Sequence, residues 1–259
     1  EGLQQAMARK DRASLRILSD AFHRAHQHQL ALQALDALEA LGDQDPILTK
    51  KRAEILIQYG QANRAIAPLQ RLLETAPEDM QAKGLLAEAL YLSGNKEAAV
   101  KLLREVVAHC PDNDKAKGNL VIWLEETGRR EEAEQLLAAL IAKAPDQVLH
   151  RLYWPLVALE RIPANEAVHR AMLERFMAHI ADVRDWAKTR SEAERQSFPP
   201  PYRSGPFALA YYPGDITPYL RAWGEMMATL YPPTPVPHPP ARERVRLVIL
   251  TATFYRQSV

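Results

Sequence analysis

Cysteine is nearly missing: the 259 residues hold one, Cys110. A lone thiol excludes an internal disulfide framework and fits a reducing compartment, so a cytoplasmic location is expected. An excess of either charge is missing too. Thirty-three Lys and Arg balance 32 Asp and Glu, a net of +1, and no basic face is clustered, so the electrostatic footprint of a nucleic-acid binder is absent. No apolar run is long enough to span a membrane, and no signal-peptide pattern is visible. A glycine-rich phosphate loop and a nucleophile–base pairing are also lacking. His23, His26 and His28 cluster, with His23 and His26 at i, i+3, but no carboxylate or thiolate is spaced to complete a metal site. Cys110 beside Pro111 reads as a thiol at a helix end. Glu125/Glu126 and Glu131/Glu132 read as solvated helix ends, and Trp123, Trp154, Trp186 and Trp223 as packing residues.

What is present is a period. Pro77, Pro111 and Pro145 lie 34 residues apart, as do Gly60, Gly94 and Gly128, and Ala31, Ala65, Ala99 and Ala133. With repeats starting at Arg12, Pro46, Met80 and Asp114, position 8 is Ser19, Ala53, Ala87 and Val121, and position 20 is the alanine series. Small residues at both phases let two helices cross closely. Position 11 (Phe22, Leu56, Leu90, Leu124) and position 24 (Leu35, Leu69, Leu103, Leu137) supply the bulk that fills the space between stacked units. The glycines suit a left-handed turn after a first helix, and the prolines stop a second one. Asp45, Asp79 and Asn113 stand where the next helix needs an N-cap, with Pro46 in a favoured first-turn place. These residues resemble the tetratricopeptide repeat, a stacked helix–turn–helix unit. The resemblance implies a mainly α fold, a right-handed superhelical solenoid, with repeats near 12–45, 46–79, 80–113 and 114–147. The first repeat is weaker, with His26 at the glycine phase and Asp43 at the proline phase. A degenerate fifth unit, 148–188, keeps Ala167 but has Pro155 at position 8, and a helix through Val168, Met172, Phe176, Ile180 and Val183 closes the array near Lys188.

Beyond residue 188 the composition changes. Residues 189–243 read as a proline-rich linker with a short strand at Phe207–Tyr212 and a helix from Pro218 through Tyr219, Leu220, Trp223, Met227 and Leu230. The stretch 232–240, PPTPVPHPP, is expected to be extended. Val245–Leu250 is a continuous β-branched and apolar run, suited to a buried parallel strand. A buried strand needs neighbours, so residues 244–259 are expected to open a truncated α/β domain of a longer polypeptide; the alternative is an edge strand or a disordered tail.

The order of these parts, with FALAYYPGDITPYLRAWGEMMATLYPP and RVRLVILTATFYRQSV, resembles bacterial O-linked N-acetylglucosamine transferase-like (SPINDLY-like) glycosyltransferases. The resemblance implies that the last segment is the first strand of a Rossmann-like catalytic half. It also implies that Gln257 stands where the family has an active-site His, and that a UDP-sugar donor serves the full-length parent. Gln cannot act as a general base near neutral pH, and the second catalytic half is absent, so this chain is expected to be inactive by itself and to hold no cofactor. Its implied role is to recruit protein substrates; the alternative is a repeat adaptor with no enzymatic activity.

In tetratricopeptide superhelices the first helix of each repeat lines the concave face. The implied partner-binding groove is Arg16 and Asp20 in the first repeat, Lys50, Lys51 and Glu54 in the second, Glu88 and Tyr91 in the third, and Lys115 and Asn119 in the fourth, with Gly84 and Gly118 leaving room. Of the family's asparagine ladder at position 6 only Asn119 matches; Ile17, Lys51 and Leu85 hold the other places. The two-carboxylate clamp is not met either, because Lys50 is followed by Glu54. The expected groove is therefore a mixed-charge surface for a protein or peptide.

Overall fold

The computed structural model describes residues 2–160, 162–199 and 205–232. Among them it contains thirteen α-helices, one 3-10 helix and no strand. After a short leading helix, α1 (Gly2–Ala8), the repeats are helix pairs: α2 (Arg12–Arg24) with α3 (His28–Ala40), α4 (Pro46–Gln58) with α5 (Asn63–Thr75), α6 (Met80–Leu92) with α7 (Lys96–His109), and α8 (Asp114–Glu126) with α9 (Arg130–Lys143). The fifth pair is α10 (Val148–Val157) and the long α11 (Glu166–Lys188). The first helices begin at residues 12, 46, 80 and 114, the phase expected from the 34-residue period.

Each boundary has a local cause. Asp11, Asp45, Asp79 and Asn113 accept hydrogen bonds from backbone amides of the first turn of α2, α4, α6 and α8. Each therefore satisfies a donor that the helix leaves unpaired. Between the two helices of a repeat the chain closes with paired bonds. The Gly60 amide donates to the Ile57 carbonyl and the Gln61 amide to that of Leu56, at 3.1 and 2.8 Å. The pattern recurs at Gly94/Asn95 and Gly128/Arg129, and it requires a left-handed residue at its centre. His26 makes the same closure in the first repeat at φ 56°, where a Cβ is strained. That repeat also ends differently: in place of proline, Gly42 turns the chain at φ 76°.

The crossings are close because the residues are small. Ala31, Ala65, Ala99 and Ala133 are fully buried, as are Ser19 and Ala87, with Ala53 and Val121 nearly so. One apolar core runs through repeats two to four, from Ala53 to Val157. A second joins α1 to the first repeat and the start of the second through Leu3, Ala6, Leu15, Leu38 and Ile55.

The third core corrects the expectation for the tail. The apolar stretch expected as a strand is a 3-10 helix, Phe207–Tyr211, and α13 (Thr217–Leu230) follows it. A five-residue helix, α12 (Glu192–Gln196), with a complete capping box, lies in the stretch expected as linker. Leu209, Tyr212, Ala222, Met226 and Leu230 are buried with Met172, Phe176, Ile180 and Val183 of α11. Among the described residues this region is thus packed onto the closing helix rather than strung out as a linker. The cause lies in the spacing: Ala222, Met226 and Leu230 form a stripe four residues apart that can be buried only against a neighbour. The Tyr212 hydroxyl donates to the Glu160 carbonyl, and burial pushes its phenol well above the ordinary value. The expected strand at 245–250 and Gln257 lie outside the described residues.

Candidate functional site on the concave face

The groove residues share phases of the first helices α2, α4, α6 and α8, but they do not form one uniform surface. In the first two repeats they are taken up in pairs with each other or with residues at the repeat boundaries. Arg16, at position 5, reaches forward to Asp43 at 2.8 Å and Asp45 at 2.9 Å. Lys50, at the same position one repeat later, reaches Asp79 at 2.8 Å. Asp45 and Asp79 are the N-caps of α4 and α6, so each cation joins its own repeat to the start of the next. Lys51 pairs with Asp20 across the same boundary, and the Gln81 amide donates to Glu54 at 3.4 Å. The charges consequently cancel within the face. The Asp45 carboxyl is held below its usual value by the Ile47 amide and the Arg16 guanidinium. Burial works to raise the Asp79 carboxyl, but the Lys50 ammonium and the Ala82 amide outweigh it and leave the group lowered.

The expected mixed-charge surface is therefore largely self-neutralised in its N-terminal half. What stands clear of those pairs is apolar: Ile17 and Ile47 are 66% and 58% exposed. Ile17 shares its phase with Lys51 and Asn119, and Ile47 with Gln81 and Lys115.

Further along, the character changes. Tyr91 stacks on Trp123 with centroids 4.4 Å apart, linking the third and fourth repeats, and the Lys96 ammonium lies 5.5 Å from the Tyr91 ring centre. Glu88 is half-buried on α6. At position 5 the third and fourth repeats carry Gly84 and Gly118, where a Cβ would meet nothing within 4 Å. Beside Gly118 a cavity of about 440 Å3 opens between α8 and α10, lined by Asn119, Ile122, Tyr153, Leu156 and, from α13, Trp223. Lys115 sits at its edge. Lys115 and Asn119 thus share one site, whereas Arg16, Asp20, Lys50, Lys51 and Glu54 belong to the paired network.

Sequence reasoning missed Ile122, Tyr153 and Trp223. Ile122 and Tyr153 lie on α8 and α10, the first helices of their pairs, and were within reach of the 34-residue register, since the glycine at 118 signals vacant space beside them. Trp223 carried no such signal, because its place at the wall depends on α13 docking along α11, with Phe176 and Trp223 stacked at 6.4 Å.

The remaining candidates have structural neighbours. His23 pairs with the Gln58 side chain at 3.0 Å, and His28 packs against His26 and Tyr59. Among the described residues no group of three or more His, Cys, Asp and Glu side chains is arranged to hold a metal ion. None of the described helices is long and apolar enough to cross a membrane.

Comparison with known proteins agrees with this geometry. A tetratricopeptide repeat model matches residues 56–109 and 90–160. Those residues are therefore tetratricopeptide repeats, a unit whose general role is protein–protein interaction. Two crystal structures of the MamA protein share the fold. One is 15% identical, with a TM-score of 0.56 over 70% of this chain and 96% of its own. The other is 16% identical, with a TM-score of 0.53 over 66% of this chain and 97% of its own. At such identities the likeness is one of fold alone. No curated protein matches the sequence.

Proposed function

We propose that the chain is a protein-interaction scaffold whose partner docks on the concave face of the third to fifth repeats, anchored by an apolar group in the cavity beside Gly118. The observation that carries this reading is the cavity itself: about 440 Å3 of space with aromatic and aliphatic walls on the face where repeat solenoids present their grooves. The charged residues of the first two repeats serve a different purpose, holding the stack together.

A photo-crosslinking amino acid placed at Asn119, and as a control at the exposed Lys101 of α7, tests the reading. Crosslinked partner bands are expected from position 119 and none from position 101. Crosslinks from 101 alone would move the docking face to the other side of the array.

A finer reading makes this scaffold the substrate-recruiting part of a protein O-glycosyltransferase. It draws on the resemblance of residues 207–259 and receives no support from the proteins compared. Its logic is local concentration of acceptor beside a catalytic cleft. It predicts that a longer parent binds UDP while the present chain does not, which calorimetry with both would decide.

A further inference from the structure

His179, on α11, is held between two acceptors. Its Nδ1 lies 2.9 Å from the Trp154 carbonyl oxygen of α10, and its Nε2 lies 3.2 Å from a carboxylate oxygen of Glu134 on α9. The ring stacks on the Trp154 indole, with centroids 3.9 Å apart and 20° between the planes. Trp154 packs against both the core of the repeats and the core of the terminal helices. His179 therefore stands at the seam between the fourth repeat and the terminal helices, with its side chain only 12% exposed.

A neutral imidazole has one N–H to donate. The Trp154 carbonyl has the greater need of it. Trp154 lies in the last turn of α10, and the Ala158 amide, four residues on, donates to the Pro155 carbonyl instead. With the proton on Nδ1 the ring satisfies that carbonyl, and Glu134 keeps Arg175 at 3.4 Å.

A second proton, on Nε2, would place a charge in this enclosure, where the carboxylates are already committed. Glu134 of α9 is bound to Arg175, and Asp182 of α11 to Arg151 of α10 at 2.9 Å. On α13, packed along α11, Glu225 is bound to Arg184 at 3.3 Å. These pairs cancel, so an imidazolium adds a net positive charge with little water to hydrate it. Burial accordingly holds the His179 pKa below its ordinary value. Glu134, the Trp154 carbonyl and Asp182 pull it up, and Arg175 pushes it further down. At pH 7 the ring is neutral.

We propose that His179 is an acid-sensitive catch at this seam: neutral, it fastens α11 to the end of α10, and on taking up a proton it loosens the terminal helices from the fourth repeat. Because the folded value lies below the unfolded one, the stabilisation is complete above about pH 6.5 and is lost as the pH falls through the lowered value. The catch does not depend on what docks on the concave face.

The test follows the full chain by NMR, with the ring nitrogens of His179 assigned through bonds. At pH 7 the proton is expected on Nδ1, and the titration midpoint below about 6.5. Arg175→Gln frees Glu134 for the ring and should raise the midpoint, whereas Glu134→Gln should lower it. Between pH 7 and pH 5, amide protection over α11 and α13 should fall relative to α4–α7. His179→Gln keeps a side-chain amide that can donate to the Trp154 carbonyl but takes up no proton, and it should remove that fall. A midpoint at or above about 6.5 in the unaltered chain would overturn the proposal by itself, whether or not the variants fold. So would midpoints of the Arg175 and Glu134 variants that fail to move in opposite directions, or an equal loss of protection in His179→Gln.

Discussion

The first two repeats and the last three share one set of phases yet present different surfaces. At position 5 the former carry Arg16 and Lys50, each bound to a capping carboxylate of the following repeat. At the same position the third and fourth carry Gly84 and Gly118 and the fifth the buried Leu152, and beside Gly118 the face opens into a cavity. A charge at a groove position is therefore not automatically a charge on offer. When the residue 29 positions later is a capping acid, the cation is consumed by stacking, and the cavity lies where a glycine, Gly118, stands in its place.

The sharpest way to break this comparison is to damage one end and watch the other. Phe176 is fully buried between α11 and α13, and Phe176→Ala should cost about 3–5 kcal/mol. In a linear array that loss should stay local. Hydrogen exchange is expected to show protection lost over α10, α11 and α13 and retained in α2–α5. Uniform loss would mean that the two halves are one cooperative unit.

Next in size is the effect on binding. Gly118→Leu should weaken partner capture at least tenfold, about 1.4 kcal/mol, by filling the cavity. The helix itself should be unharmed or stabilised by up to about 1 kcal/mol, because glycine is a poor helix former. Gly84→Leu, at the same phase one repeat earlier, should leave capture nearly unchanged. Equal losses from both would erase the distinction between the regions.

In the first repeat, His26→Gly should stabilise by about 1 kcal/mol, read as a higher urea midpoint, because it removes a Cβ from a left-handed turn. Gly128→Ala at the equivalent turn should move stability the other way by a similar amount.

The smallest change isolates the stapling. Asn caps a helix as well as Asp, so Asp79→Asn removes only the ion pair with Lys50, worth about 0.5 kcal/mol. Because the folded-state value of Asp79 lies below its unfolded one, this contribution is present above about pH 4 and lost as the pH falls through the lowered value. Chemical denaturation of both proteins at pH 7 and pH 3 should show the gap narrow. A gap unchanged at pH 3 would assign the loss to something other than the ion pair.

The periodic part of the fold was legible in the residues. Alanine at 31, 65, 99 and 133 and the acids and amide ahead of each first helix fixed the helix starts, because close crossings and unpaired amides leave little choice of side chain. The packing of the tail was not legible. Leu209 and Tyr212 are buried against α11, about forty residues upstream, through contacts that follow no period. Of the candidate site, Lys115, Asn119 and the room left by Gly118 were readable from register. The neutralisation of Arg16, Lys50 and Lys51 was readable in principle, since each partner is a fixed number of residues away, but only if the face is treated as a set of pairs and not as a row of single residues. Trp223 depends on tertiary docking alone.

The capping acids carry one more consequence. Asp45 and Asp79 each tie the amide that starts a helix and the cation of the preceding repeat to a single carboxylate. Initiating one helix thus also fastens the previous one, and a frayed start releases its neighbour's side chain. In the language of a one-dimensional chain of spins, the field on each site and the coupling to the site before it are carried by the same atoms. Where Gly84 and Gly118 sit, at the third and fourth repeats, that coupling through position 5 is missing, and beside Gly118 the open cavity takes its place.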